Sequence, residues 1–74
     1  MSAAAAIGEH VWLAGYALAG VQVHPAEDRA AADAAWEHLP ADVACLILTP
    51  AAHAALAARL SERPELVWTV VAAQ

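Results

Sequence analysis

The feature that most constrains this chain is an unbroken apolar run, Val43-Ala44-Cys45-Leu46-Ile47-Leu48, entered from Asp42 and closed by Thr49-Pro50. A run without polar alternation fits a strand buried on both faces at the centre of a parallel sheet. Thr49 is a good N-cap and Pro50 suits the first position of a helix. The helix is expected to continue through Ala51 to Leu60, with Ala52, Ala55, Leu56 and Leu60 on its inner stripe. Ser61-Glu62-Arg63-Pro64 stops it, because the residue before a proline leaves the α region. Leu66-Val67-Trp68-Thr69-Val70-Val71 is rich in residues that favour strands. Residues 42–71 therefore predict strand, helix, strand, a unit that implies parallel and right-handed pairing.

The first half repeats the theme more faintly. Pro25 marks the start of a helix predicted over roughly Ala26 to Leu39, with Glu27 and Asp28 in its first turn, where the helix dipole favours acids. Ala32, Ala35, Trp36 and Leu39 form its inner stripe, and Pro40 ends it. Gly20-Val21-Gln22-Val23 reads as a short strand before it. Residues 10–19 read as a helix whose small residues, Ala14, Gly15, Ala17 and Ala19, permit close packing. Ala3 to Ile7 is assigned to the first strand because the alternating plan calls for one there, against the poor strand propensity of alanine. Alternation of this kind predicts an α/β fold in one domain, residues 1–74: a four-stranded parallel sheet, order 2-1-3-4, with three helices.

Size and charge narrow the function. A domain of 74 residues buries only about 60% of the surface its unfolded chain exposes, so a partner or self-association is expected to complete it. The chain is 62% hydrophobic, but much of that is alanine, which buries little area. Its net charge is −5, with three arginines and no lysine. That balance argues against nucleic acid or an anionic membrane as the main partner. The missing lysine excludes a phosphate-binding Walker loop and Schiff-base chemistry. The apolar stretch Val11 to Val21 is too short to span a bilayer and lacks the basic flank of a signal peptide, so a cytoplasmic protein is expected.

Candidate chemical groups carry little catalytic signal. The doubly wound plan places any ligand at the C-terminal edge of the sheet, where Gly8, Glu9, His10 and Thr49 are expected to gather. Receiver domains of similar plan need an acidic pair, an aspartate ending the third strand and a lysine. Thr49 stands at that aspartate's place, and the chain has no lysine. Gly8, Gly15 and Gly20 do not form a dinucleotide fingerprint and are read as a tight turn and close packing. His10, His24, His38 and His53 are too well separated for a zinc motif. His10 and His53 are left with Glu9 as a weak candidate metal group; otherwise no metal and no cofactor are expected. Cys45 is read as an inert core thiol, Trp36 as core, and Trp12 as the best candidate for a contact surface.

In order, these residues resemble the small central-stalk subunit of V/A-type rotary ATPases. Ile7-Gly8-Glu9 is similar to the family's turn after the first strand. Gly15-Tyr16-Ala17-Leu18-Ala19-Gly20 is similar to its glycine-bounded helix, with Tyr16 in the aromatic place. Asp42 through Thr49 resembles its buried strand, and Pro64-Glu65-Leu66-Val67 its entry to the last strand. The resemblance spans nearly the whole chain. It implies a flavodoxin- or receiver-like globular domain that performs no catalysis.

It further implies a rotor component of a proton-translocating ATPase or ATP synthase, on the cytoplasmic face of the membrane and peripheral to it through the complex. The partners implied are the coiled-coil stalk protein and the catalytic ring, with Trp12 and Tyr16 as candidate contacts. The family carries a C-terminal extension ending in a helix, which is not matched before Gln74. Docking without regulation is therefore the expectation. The alternative is a free-standing α/β module for protein interaction, self-association included, or for small-molecule binding.

Overall fold

A computed structural model describes residues 3–13 and 20–71. Four strands, β1 (Ala3–Gly8), β2 (Gln22–Pro25), β3 (Val43–Leu48) and β4 (Val67–Val70), form one parallel sheet in the order β2-β1-β3-β4. Three helices alternate with them: α1 (His10–Leu13), α2 (Arg29–Glu37) and α3 (Pro50–Leu56), the last running into a 3₁₀ segment, Ala57–Glu62. The architecture is the α/β plan expected from the sequence. Among the described residues, no helix is long and apolar enough to cross a membrane.

The direction of each crossover fixes the layers. The chain moves from β1 to β2, then returns past β1 to β3 and on to β4. Right-handed connections therefore put α1 on one face and α2 and α3 on the other. The main core lies under α2 and α3. Ile7, Leu46, Leu48 and Leu56 are fully buried there, with Trp36, Val43 and Leu60 around them. Ala6 and Leu13 are also fully buried, but they stand outside this cluster, as the opposite face requires. Alanine serves in β1 because helices pack on both sides of it, leaving little room for longer side chains.

Several boundaries differ from expectation for local reasons. Pro25 closes β2, pairing in register with Gly8, and the Ala26 N–H donates to the Gly8 carbonyl at 2.7 Å. The helix thus begins at Arg29, with Asp28 as N-cap accepting from the Ala31 N–H at 2.8 Å. A side chain that caps cannot also sit in the first turn. The third helix tightens to 3₁₀ geometry after Leu56 instead of running to Leu60 as α-helix. Residues 14–19, including the predicted continuation of the first helix, Gly15 and Tyr16, lie outside the described residues.

The central strand carries a correction. β3 is internal to the sheet, but only one of its faces is closed. Leu46 and Leu48 are fully buried, whereas Cys45 is exposed and Ile47 half-buried. Register places Cys45 beside Val67 and Ile47 beside Thr69, on the face that carries α1. There α1 packs against β1 and β2, and among the described residues no helix covers the β3–β4 half of that face. Val67 is 67% exposed.

Candidate functional site

The C-terminal ends of β1 and β3 bring Gly8, Glu9 and Thr49 into direct contact, as expected. The Thr49 N–H continues the β1–β3 pairing by donating to the Ile7 carbonyl at 3.2 Å. Its hydroxyl donates to Glu9 Oε1 at 2.5 Å and accepts from the Ala52 N–H at 3.3 Å. Its carbonyl accepts from the His53 N–H at 2.8 Å. Every polar atom of Thr49 is thus engaged, and the residue has no solvent exposure.

Gly8 is required by this arrangement on steric grounds. A Cβ at position 8 would lie inside van der Waals contact of the Thr49 side chain, reaching its Cβ at 2.8 Å. The left-handed backbone that usually calls for glycine is found instead at Gly20, with φ of 84°. His10, the fourth residue expected here, is exposed, and its backbone N–H donates to Glu27 Oε2 at 2.8 Å. The carboxylate that caps α1 therefore comes from a residue 17 positions away.

Beside Glu9, between the starts of α2 and α3, is a cleft of about 290 Å³ lined by Ala26, Glu27, Asp28, Ala51 and Ala52 among others. Its floor is alanine and its polar lining is mainly acidic. One oxygen each of Glu9, Glu27 and Asp28 already accepts a bond from Thr49, His10 and Ala31 respectively. The buried Thr49 hydroxyl has no path to a substrate, since a nucleophile must be reached to react. The structural work of this edge is to tie the β1–α1 turn to the start of α3.

The weak candidate metal group of His10 and His53 with Glu9 is not assembled. The His53 ring stacks on Trp68 instead, with centroids 5.2 Å apart and planes 30° from parallel. Among the described residues, no three His, Cys, Asp or Glu side chains gather into a group able to hold a metal ion. His38 caps the end of α2, with Nδ1 2.7 Å from the Ala34 carbonyl oxygen.

A polar cluster at the other end of the sheet goes beyond what the sequence pattern indicates. Arg59 pairs with Glu37, with Glu62 at 3.3 Å and with Asp33 at 3.6 Å. Glu62 also accepts from the Trp36 indole Nε1–H at 3.1 Å. The guanidinium of Arg59, and after it the indole, hold the Glu62 carboxyl below the usual carboxylate range. Glu37 first, and then Glu62, raise the Arg59 pKa further. Arg63 reaches the carbonyls of Pro40 and Val43 at 3.3 and 3.5 Å, besides Glu65 at 3.5 Å. Only the i,i+3 spacing of Arg59 and Glu62 is a local signal; the bonds to Asp33, Glu37 and Trp36 need the fold.

The candidate contact residues are less uniform. Trp12 is half-buried, while its neighbour Val11 is 80% exposed. Tyr16 lies outside the described residues. Trp68, which pattern alone places simply in a strand, is 42% exposed. Comparison with protein-family models, curated proteins and solved structures returns no match.

Proposed function

We propose that this chain is a non-catalytic rotor component of a V/A-type proton-translocating ATPase or ATP synthase. In this reading it docks on the coiled-coil central stalk on the cytoplasmic face of the membrane. One observation supports the reading above the others. The two motif stretches on which the resemblance to the small stalk subunit leans most, Ile7-Gly8-Glu9 and Asp42 through Thr49, lock together in space. Gly8 makes room for Thr49, and Thr49 bonds to Glu9. Residues chosen for a shared structural junction leave no reactive group there, which suits a protein that transmits force and performs no chemistry.

Docking needs an apolar surface on a rigid frame. Val11 in α1 and Val67 on β4 supply exposed apolar side chains. Two of the arginines are already committed to carboxylates and carbonyls, which fits a protein partner better than a polyanion. The test is co-purification of the tagged chain with the coiled-coil stalk protein encoded in the same genome. A stable complex, weakened at least tenfold by Val11→Asp together with Val67→Asp, is expected. Failure to bind the stalk protein at any accessible concentration would overturn the reading.

The cleft beside Glu9 favours a second reading, a small-molecule-binding module. Its three carboxylates, Glu9, Glu27 and Asp28, against one arginine, Arg29, on an alanine floor would suit a small cationic ligand. A thermal-shift screen of amines and amino sugars separates the two, since Glu27→Gln would abolish a ligand shift and leave stalk binding intact.

A further inference from the structure

We infer that the outer edge of β4 pairs with β4 of a second copy of this chain, antiparallel about a twofold axis at Thr69. The inference is independent of the rotor reading. Among the described residues, β4 is paired only with β3 and ends the sheet. The Val71 N–H points inward, donating to the Leu48 carbonyl at 2.9 Å. Strand backbone alternates with a period of two, so position 69 also faces β3, and the N–H and C=O groups of Trp68 and Val70 face out. These are the groups a further strand would engage.

Symmetry and side-chain direction then leave one good register. A twofold axis normal to the sheet keeps each face on its own side, so residues opposite one another must share a face. With Thr69 opposite Thr69, Trp68 stands opposite Val70 of the second copy, and Val70 opposite its Trp68. Each of those pairs exchanges two hydrogen bonds through the outward groups. Val67 then faces Val71 on the open side of the sheet. Aromatic with β-branched and threonine with threonine are favourable cross-strand pairs. A register centred on Trp68 would need the Leu66 N–H, which already bonds to the Arg63 carbonyl at 3.0 Å, and one centred on Val70 would pair Trp68 with residue 72, beyond the described strand.

Charge selects the same occupant. The chain as a whole carries −5, yet Leu66 through Val71 holds no charged residue and no proline. Two copies can thus meet along this strand without like charges facing each other. Edge strands that stay single are kept so by shortness, a charge, a proline or a bulge; β4 is short, at four residues, but has none of the other three. The interface is short, so a dimer in rapid exchange is expected.

Light scattering after size exclusion, across about 10 μM to 1 mM, should show mass rising from monomer toward dimer. Val70→Pro removes an outward N–H that the monomer does not use. It should leave the protein monomeric at every concentration, with its circular dichroism retained and its melting temperature lowered by the lost packing of Val70 on the core. In a Cys45→Ala background, Thr69→Cys places two thiols across a non-hydrogen-bonded pair, where Cα atoms lie about 4.5 Å apart and a disulfide can close. Oxidation should link Thr69→Cys rapidly and Val67→Cys at least tenfold more slowly, because Val67 is not opposite itself. Monomeric mass throughout would overturn the inference, as would equal cross-linking of the two variants. Monomer alone, with β4 amides protected from exchange only when the stalk protein is bound, would assign the edge to that partner and likewise overturn it.

Discussion

Replacing Gly8 with alanine adds one methyl group at a crowded point of the chain. The new Cβ would overlap the Thr49 side chain, whose own Cβ is 2.8 Å from the built position. Thr49 is fully buried and cannot swing into solvent. If both residues stay in place, forced overpacking costs about 1–3 kcal/mol. If Thr49 rotates away, α3 loses its N-cap, about 1 kcal/mol. Glu9 then also loses its hydroxyl donor, a charged hydrogen bond worth about 1.5 kcal/mol where the carboxylate is part-exposed. The two routes give losses of about 1–3 and about 2.5 kcal/mol. A domain of this length has about 4–11 kcal/mol in total, so Gly8→Ala should lose between about a quarter and a half or more of its stability. The assay is guanidinium unfolding followed by tryptophan fluorescence, for Gly8→Ala, Thr49→Ala and the double variant. Removing the Thr49 Oγ1 and Cγ2 first should relieve most of the overlap and leave only the Cβ contact at 2.8 Å, so the double variant should lose about 1 kcal/mol less than the two single losses added. A Gly8→Ala cost below about 0.5 kcal/mol, or strict additivity, would refute the steric account of the junction.

Three further outcomes follow from the burial and charge pattern. Cys45 should react with a thiol reagent in the native protein at a rate close to that of a free thiol; reaction only on unfolding would mean that the open half of the sheet is closed. Leu46→Ala should cost about 3–5 kcal/mol, whereas Cys45→Ala should change stability by less than about 0.5 kcal/mol, as read from denaturant midpoints. The Glu62 carboxyl has a lowered pKa in the folded chain. Its contribution is therefore present above the ordinary carboxylate pKa and is lost as pH falls through the folded value. The melting-temperature difference between wild type and Glu62→Gln should be largest near neutrality and shrink in acid; a difference that grows on acidification would reverse the assignment.

The fold is legible in the sequence because its signals are redundant. The apolar run ending in Thr49-Pro50 marks both a strand and the helix after it, and those elements are found with little adjustment. The junction of Gly8, Glu9 and Thr49 follows from topology alone, since strand ends meet at the edge of a parallel sheet. What pattern does not supply is coverage. Cys45 and Ile47 look as buried as Leu46 and Leu48 in the sequence. A continuous apolar run records what a face tolerates and not what packs on it. The start of α2 lies later than the pattern places it because Glu27 and Asp28 are used as caps, one of them for a different helix. His53 misses the edge because sequence gives the face of a helix but not which neighbour fills it; Trp68 does.

β1, one of the two inner strands, is alanine from Ala3 to Ala6, the smallest side chain that still has a Cβ. Ala5 points toward α2 and α3, Ala6 toward α1, and neither has any exposed surface. The thickness of the molecule is therefore set at its centre by methyl groups. Bulk is displaced outward to Ile7, Leu46, Leu48 and the helices. Positions 5 and 6 consequently have almost no tolerance in the direction of growth, because a valine at either would wedge a helix off the sheet. The residues that look least informative in the sequence, a row of alanines near its start, are the ones that hold the two layers of helix at their spacing.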